Sequence, residues 1–199
     1  MDSDTINPMR DKEIEIQVRI GDSSNLLDFL KSNAEFQYEN HQVDTYYTPA
    51  HRDFIGVRPV DEWLRLRNSD GKCLLTYKNF QRNTAGQSIY CDEYETKVAD
   101  LDQLRKVFGA LDIQPIVTVD KVRKTWRYQD YEIAVDKVEG LGDFVEIEYK
   151  GSDSSLNPEQ ITDDMVSFLK NLDVGEIKRN RVGYPFQLLF PEEVELEVY

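Results

Sequence analysis

Residues 12–20 read KEIEIQVRI, with charged or polar residues alternating without a break with Ile and Val. Successive side chains of a β-strand point to opposite faces, so this stretch predicts a strand with Glu13, Glu15, Gln17 and Arg19 on one side and Ile14, Ile16, Val18 and Ile20 on the other. Further strands are predicted over 35–47, 61–68, 73–80, 88–98, 115–128, 131–137 and 144–150, separated by turn signals such as Ser69-Asp70-Gly71 and Gly140-Leu141-Gly142. Three helices punctuate them. Asp22 is placed to cap the first, which carries Leu26, Leu27, Phe29 and Leu30; a second over 100–110 carries Leu101, Leu104, Val107 and Phe108. The third opens with Asn157 as cap and Pro158 at the first helical position, and its apolar stripe is Ile161, Met165, Phe168, Leu169 and Leu172. Short turns between neighbouring strands imply antiparallel pairing, so the fold class is α+β, with helices covering part of an antiparallel sheet of about eight strands.

A chain of 199 residues can form one well-filled core. A single domain is expected over 12–199, preceded by a loose polar segment over 1–11. Hydrophobic residues at 40% and charged residues at 31% suit a soluble globular protein. No apolar run reaches the roughly 20 residues of a membrane helix, and the first residues lack a signal-peptide core, which makes the cytoplasm the expected location. Cys73 and Cys91 form no disulfide framework, and His41 and His51 lie outside any zinc motif. The net charge of −14 argues against nucleic acid as a partner, because phosphate backbones require a broad basic surface.

The charged sides of the strands carry the chemistry. Arg65 and Arg67 share a face in WLRLR, Lys121 and Arg123 in VDKVRKTW, Glu93 and Glu95 in DEYET, and Glu146 and Glu148 in FVEIEYK; Lys78 ends CLLTYK and Asp136 ends YEIAVD. A solvated outer face is the ordinary account of any one such strand. Like charges side by side repel, however, and their recurrence on five strands points to ligands of opposite sign. Carboxylates without His or Cys suit hard cations such as Mg²⁺ or Mn²⁺, while Arg and Lys suit phosphate oxygens. A triphosphate held by metal ions on one side and basic residues on the other satisfies both. A β-barrel with a polar interior would gather these faces around one lumen.

The ordered set Glu13/Glu15, Asp44-Thr45-Tyr46-Tyr47, Leu64-Arg65-Leu66-Arg67, Leu75-Thr76-Tyr77-Lys78, Glu93/Glu95, Lys121/Arg123 and Asp136 through Glu148 resembles the CYTH superfamily, named for class IV adenylyl cyclases and thiamine triphosphatase. The resemblance implies an eight-stranded antiparallel barrel, the triphosphate tunnel, with helices packed outside and metal-dependent chemistry within. It assigns Glu13, Glu15, Glu146 and Glu148 to the metal, Mg²⁺ or Mn²⁺, with these four and Asp136 as the catalytic carboxylates and Glu93 and Glu95 as further acidic lining. It assigns Arg65, Arg67, Lys78, Lys121 and Arg123 to the phosphates, together with Arg181 just before GYPFQLL, which is similar to a C-terminal segment of the family. The segments DTYYTPAHRDF and DKVEGLGDFVEIE are similar to the class IV cyclase branch.

Two positions depart from the pattern. Gln17 stands where the family has Lys, removing a cation from the tunnel, and residues 7–11 do not match the His-Phe-x-x-Lys segment of bacterial cyclases. The leading expectation is cyclisation of ATP to cyclic AMP and pyrophosphate. Hydrolysis of thiamine triphosphate, a nucleoside triphosphate or tripolyphosphate is the alternative, and binding of a triphosphate or polyphosphate without turnover is the third reading. Val57, Ile89, Leu188 and Leu189, apolar with no assigned partner, suggest a homodimer.

Overall fold

The computed structural model describes residues 14–82, 88–151, 157–179 and 182–199. The polar segment 1–11, Glu13 and Arg181 lie outside them, as does the side chain of Ile89. The elements run β1 (Glu15–Ile20), α1 (Ser24–Asn33), β2 (Glu35–Pro49), β3 (Glu62–Ser69), β4 (Lys72–Arg82), β5 (Ser88–Lys97), α2 (Leu101–Ala110), β6 (Ile113–Tyr128), β7 (Tyr131–Val138), β8 (Gly142–Tyr149), α3 (Pro158–Asn171), β9 (Ile177–Arg179), α4 (Tyr184–Leu189), a 3₁₀ turn (Pro191–Glu193) and β10 (Glu197–Val198). All eight expected strands and the three expected helices are present. The antiparallel sheet has ten strands, in the order β10-β9-β1-β8-β7-β6-β2-β3-β4-β5. This corrects the eight-stranded closed barrel: β9 and β10 are too short to reveal alternation, and among the described residues the ladder ends at β5 and at β10 without joining them.

The two faces of the sheet do different work. On the outer face, Ile16 and Val18 of β1, Ile133 and Val135 of β7, and Val145 and Ile147 of β8 pack beneath Leu26 and Leu30 of α1 and Ile161, Met165 and Leu169 of α3. A second outer core joins Tyr47 and Leu66 to Phe108 of α2. Within α2 the apolar phase is Leu101, Leu104 and Phe108, and Val107, expected in that stripe, is exposed. On the inner face the only described apolar cluster sits at one end, where Val119, Val138 and Phe144 meet Tyr184 at the start of α4, with Leu188 packed against them. Leu188 is therefore engaged within the chain, whereas Val57 is exposed.

Helix starts follow local hydrogen bonding. Asp100 accepts from the Gln103 amide, and Asn157 accepts from the Glu159 amide ahead of a first-turn proline. The α1 cap is displaced by one residue from expectation. Ser23 precedes the helix but its hydroxyl donates to Asp143 at 2.6 Å, and Asp22 instead accepts from the Ser24 amide at 2.9 Å. The β2–β3 connection is fastened to the C-terminal segment by Arg58, which donates to both Glu193 carboxylate oxygens at 2.7 and 3.1 Å and lies 3.7 Å over the Phe190 ring. No helix among the described residues is long and apolar enough to cross a membrane.

Leu169, fully buried between α3 and the sheet, should cost about 2–5 kcal/mol on replacement by Ala, through lost burial and the cavity left behind. Urea unfolding measures this, and Val107→Ala, at a half-exposed position on α2, should stay within about 0.5 kcal/mol of the parent.

Candidate active site

Strand register carries the charged side chains onto one face. Residues opposite one another in an antiparallel pair project to the same side, with Cβ atoms about 4.5–5.5 Å apart. Glu15 faces Glu148 and Gln17 faces Glu146 across β1 and β8. Asp136 faces Phe144 on one side and Arg123 on the other. Lys121 faces Gln42 across β6 and β2. Asp44 and Tyr46 face Arg67 and Arg65 across β2 and β3. The sequence continues with Arg65 opposite Thr76 and Trp63 opposite Lys78, then Thr76 opposite Glu95 and Lys78 opposite Glu93. The sheet curls so far that its distant strands β1 and β5 line the same cavity of about 510 Å³.

The cavity is a charged trough. Glu15, Gln17 and Glu146 form one wall, Glu93 and Glu95 the other, and Arg65, Arg67, Lys78, Lys121 and Arg123 the floor between them. Tyr46, Trp63 and Phe80 add an aromatic side, and Tyr184 and Pro185 close one end.

Asp136 lies beneath this floor, 1% exposed. Its Oδ1 accepts from Arg123 Nε at 2.7 Å; its Oδ2 accepts from Arg123 Nη2 at 2.7 Å, Lys121 Nζ at 2.8 Å and the Tyr184 hydroxyl at 2.9 Å. Burial alone would raise the Asp136 pKa, but the hydrogen bonds and charges of Arg123 and Lys121 pull it down to about 2. Burial is also the largest influence on Lys121, whose pKa is lowered with the help of Arg123 and against the pull of Asp136. Arg123 reaches across to Glu146, donating Nη1 to Oε1 at 3.2 Å and Nη2 to Oε2 at 2.9 Å, while Gln17 donates to Oε2 at 3.3 Å. Burial opposes ionisation of Glu146, yet the Arg123 charge and hydrogen bonds hold its pKa below the usual value.

The other half of the floor has its own carboxylate. Arg67 donates to both oxygens of Asp44, Nε at 2.7 Å and Nη2 at 2.6 Å, and Asp44 is 2% exposed. Burial and the Asp44 charge push the Tyr46 phenol up to about 12, so it remains a hydrogen-bond donor at neutral pH. Arg65 is the least neutralised of the three floor arginines. It donates to Thr76 at 3.0 Å, lies 3.9 Å from Asp44 and 3.7 Å from Glu95, and its buried Nε has no acceptor among the described residues. Lys78 pairs with Glu93 at 2.9 Å.

Of the sequence-predicted residues, the trough thus gathers Glu15, Glu93, Glu95, Glu146, Arg65, Arg67, Lys78, Lys121 and Arg123. Asp136, expected as a catalytic carboxylate, lies behind the floor with its oxygens already bonded to cations and a phenol. Glu148 shares the inner face but is not part of the cavity lining, and it pairs with Lys150 at 2.5 Å. Among the described residues no three Asp, Glu, His or Cys side chains gather tightly enough to hold a metal ion. Even so, the side-chain donors that line the trough from β1 and β8 are all oxygens, the carboxylates of Glu15 and Glu146 and the amide of Gln17, and Glu146 is held ionised, which fits a hard cation in kind. Sequence reasoning gave no role to Asp44, Trp63, Phe80, Thr76 or Tyr184. The alternation places Asp44 and Trp63 on the inner face, whereas Tyr184 lies on a helix too short to leave a periodic trace.

Residues 11–184 match the CYTH domain family. A Methanocaldococcus jannaschii protein whose name assigns it provisionally to the adenylate cyclases is 31% identical over 173 residues, 86% of this chain and 95% of that protein. The structure is similar to that of the PH1819 protein of Pyrococcus horikoshii, with a TM-score of 0.67 and 26% identity over 89% of this chain and 98% of the other. It is similar in fold to a provisionally named adenylyl cyclase of Hippeastrum, described as having a dominant triphosphatase activity, with a TM-score of 0.64 and 21% identity over 92% and 100% of the two chains.

Because the Asp136 value is depressed from 3.8 to about 2, its stabilising contribution of about 2 kcal/mol is fully present above pH 3.8 and is lost as pH falls through the folded value. Unfolding free energies measured at pH 7 and in the range 2–4 should show this loss. Asp136→Asn should remove that part of the acid dependence and cost about 3–5 kcal/mol at pH 7, since Lys121 and Arg123 would lose the partner beneath them.

Proposed function

Because the chain belongs to the CYTH domain family, we propose that it is a divalent-metal-dependent enzyme acting on triphosphates in this trough, with cyclisation of ATP as the first reading. The observation that carries the proposal is the meeting of five cationic side chains, from β3, β4 and β6, with carboxylates from β1, β5 and β8 around one cavity. A triphosphate carries its charge along a row of oxygens, and a floor of Arg and Lys flanked by acidic walls matches that distribution. Arg65, with a buried N–H that has no acceptor among the described residues, is the floor residue best able to take a new phosphate partner. Arg123 and Lys121, oriented by Asp136, hold the deep end.

Glu13, Glu15, Glu146 and Glu148 would hold Mg²⁺ or Mn²⁺, which supplies neutralisation of charge on the phosphate oxygens when bound. In cyclisation the ribose 3′-hydroxyl forms a bond to the α-phosphorus, the bond to pyrophosphate breaks, and the hydroxyl proton leaves to solvent or a carboxylate. The basic floor stabilises the charge that develops on the phosphoryl oxygens. Tyr46, Trp63 and Phe80 beside the cations support a substrate that carries a ring. A second reading, hydrolysis of thiamine triphosphate, a nucleoside triphosphate or tripolyphosphate by an attacking water, is favoured by a different observation. Five of the eighteen lining residues are Arg or Lys and five are Asp or Glu, which supports recognition of phosphate together with a cation more than of any attached group. The net charge of −14 favours small phosphates over nucleic acid for either reaction.

Incubation of pure protein with Mg²⁺ or Mn²⁺ and, separately, ATP, thiamine triphosphate and tripolyphosphate should resolve the reaction. Cyclic AMP with pyrophosphate selects cyclisation, orthophosphate from any of the three selects hydrolysis, and triphosphate bound without product contradicts both. Glu146→Gln should abolish metal-dependent turnover with the fold intact by circular dichroism; an unchanged rate would remove Glu146 from the metal site. Arg65→Ala should raise the KM for the triphosphate about 10- to 100-fold, the loss expected for one charge-assisted hydrogen bond.

A further inference from the structure

Tyr184 starts α4 at the end of the trough, yet the family motifs assign chemistry only to charged side chains. It is 7% exposed, and three contacts fix it. Its hydroxyl donates to Asp136 Oδ2 at 2.9 Å, its ring meets Phe144 edge-on with centroids 4.9 Å apart, and Lys121 Nζ lies 5.0 Å from its ring centroid. Asp136 Oδ2 is the same oxygen that receives Lys121 Nζ and Arg123 Nη2.

We propose that Tyr184 is a positioning residue for the phosphate-holding cations, acting through Asp136 and through its ring face on Lys121. The inference rests on the triphosphate reading of the trough. A carboxylate gripped from two sides by cations can rotate toward either, and a third donor from the opposite element fixes its plane. With Asp136 fixed, the two ends of its hydrogen-bonded row are fixed as well. Arg123 is held in its bidentate orientation, and Lys121 commits one N–H to Oδ2 while its other two N–H groups can turn to a ligand. The aromatic face attracts the ammonium and excludes water from that side. The hydroxyl does not serve as a proton donor to substrate. Its hydrogen is committed to Asp136, and burial together with the Asp136 charge raises its pKa well above the ordinary value. This gives the C-terminal segment a part in the site, because Arg58 ties the same segment to the β2–β3 connection through Glu193 and Phe190.

The test is Tyr184→Phe, which keeps the ring on Phe144 and Lys121 and removes the hydroxyl alone, alongside Leu188→Ala, which disturbs the packing of α4 without touching the hydrogen-bonded row. Binding of inorganic tripolyphosphate with Mg²⁺ is measured by calorimetry, and the melting temperature by circular dichroism. The expected result is about tenfold weaker binding for Tyr184→Phe with a melting temperature close to the parent's, and a lowered melting temperature with nearly parental binding for Leu188→Ala. Parental affinity in Tyr184→Phe would overturn the inference while leaving the triphosphate reading in place. Affinity losses that track the melting temperature in both variants would reduce Tyr184 to a packing residue and overturn it too. A parent protein that binds no tripolyphosphate would refute the triphosphate reading itself, and the inference with it.

Discussion

The site depends on one buried carboxylate. Asp136 stands between the sheet and the trough, and Arg123, Lys121 and Tyr184 converge on its two oxygens. Two cations could not be kept side by side in a largely desolvated floor without it, because each would lose hydration and gain only the repulsion of the other. Asp44 plays the matching part for Arg67 at the other end. The floor is therefore a layer of cations seated on buried anions, and its geometry is set before any ligand arrives. Preorganisation of this kind is what lets a charged site act on developing charge without first rearranging itself.

The outer face makes that arrangement tolerable. Burying the apolar sides of β1, β7 and β8 under α1 and α3 leaves the polar sides of the same strands nowhere to go but inward, since alternation ties one face to the other. A strand such as EIQVRI is thus buried on one side by packing and enclosed on the other by curvature. Among the described residues the inner face carries one apolar cluster, where Val119, Val138 and Phe144 receive Tyr184 and Leu188. That patch anchors the C-terminal helix against a surface that is largely charged.

Most of this organisation is legible in the sequence because it is periodic. Eight strands long enough to alternate, and three helices with capped starts and apolar stripes, follow from local pattern alone, as does the sharing of one face by Arg65 and Arg67 or by Glu93 and Glu95. What escapes is what pattern does not encode. The strands β9 and β10 have three and two residues, and α4 has six, too few for a period to register. Asp136 reads as one more acid at the end of a strand, and nothing local says that Arg123 faces it across β6 and β7, or that a phenol from 48 residues further along the chain will reach it. Glu148 has the right parity for the site and sits opposite Glu15, but its carboxylate is paired with Lys150 outside the cavity lining. Closure of the sheet is a global property of twist and register, and alternation within single strands is silent about it.

The open ladder has a mechanical side. In a closed barrel every strand is bonded on both sides, so the bore is fixed by strand number and shear. Among the described residues β5 is bonded only to β4, and no backbone hydrogen bond spans from its wall to the Glu15 wall opposite. The separation of the two acidic walls is then governed by twist and by side-chain electrostatics. Positive charge brought between Glu93 and Glu95 on one side and Glu15 and Glu146 on the other would draw the walls together, and its release would let them part, without breaking a single rung of the sheet.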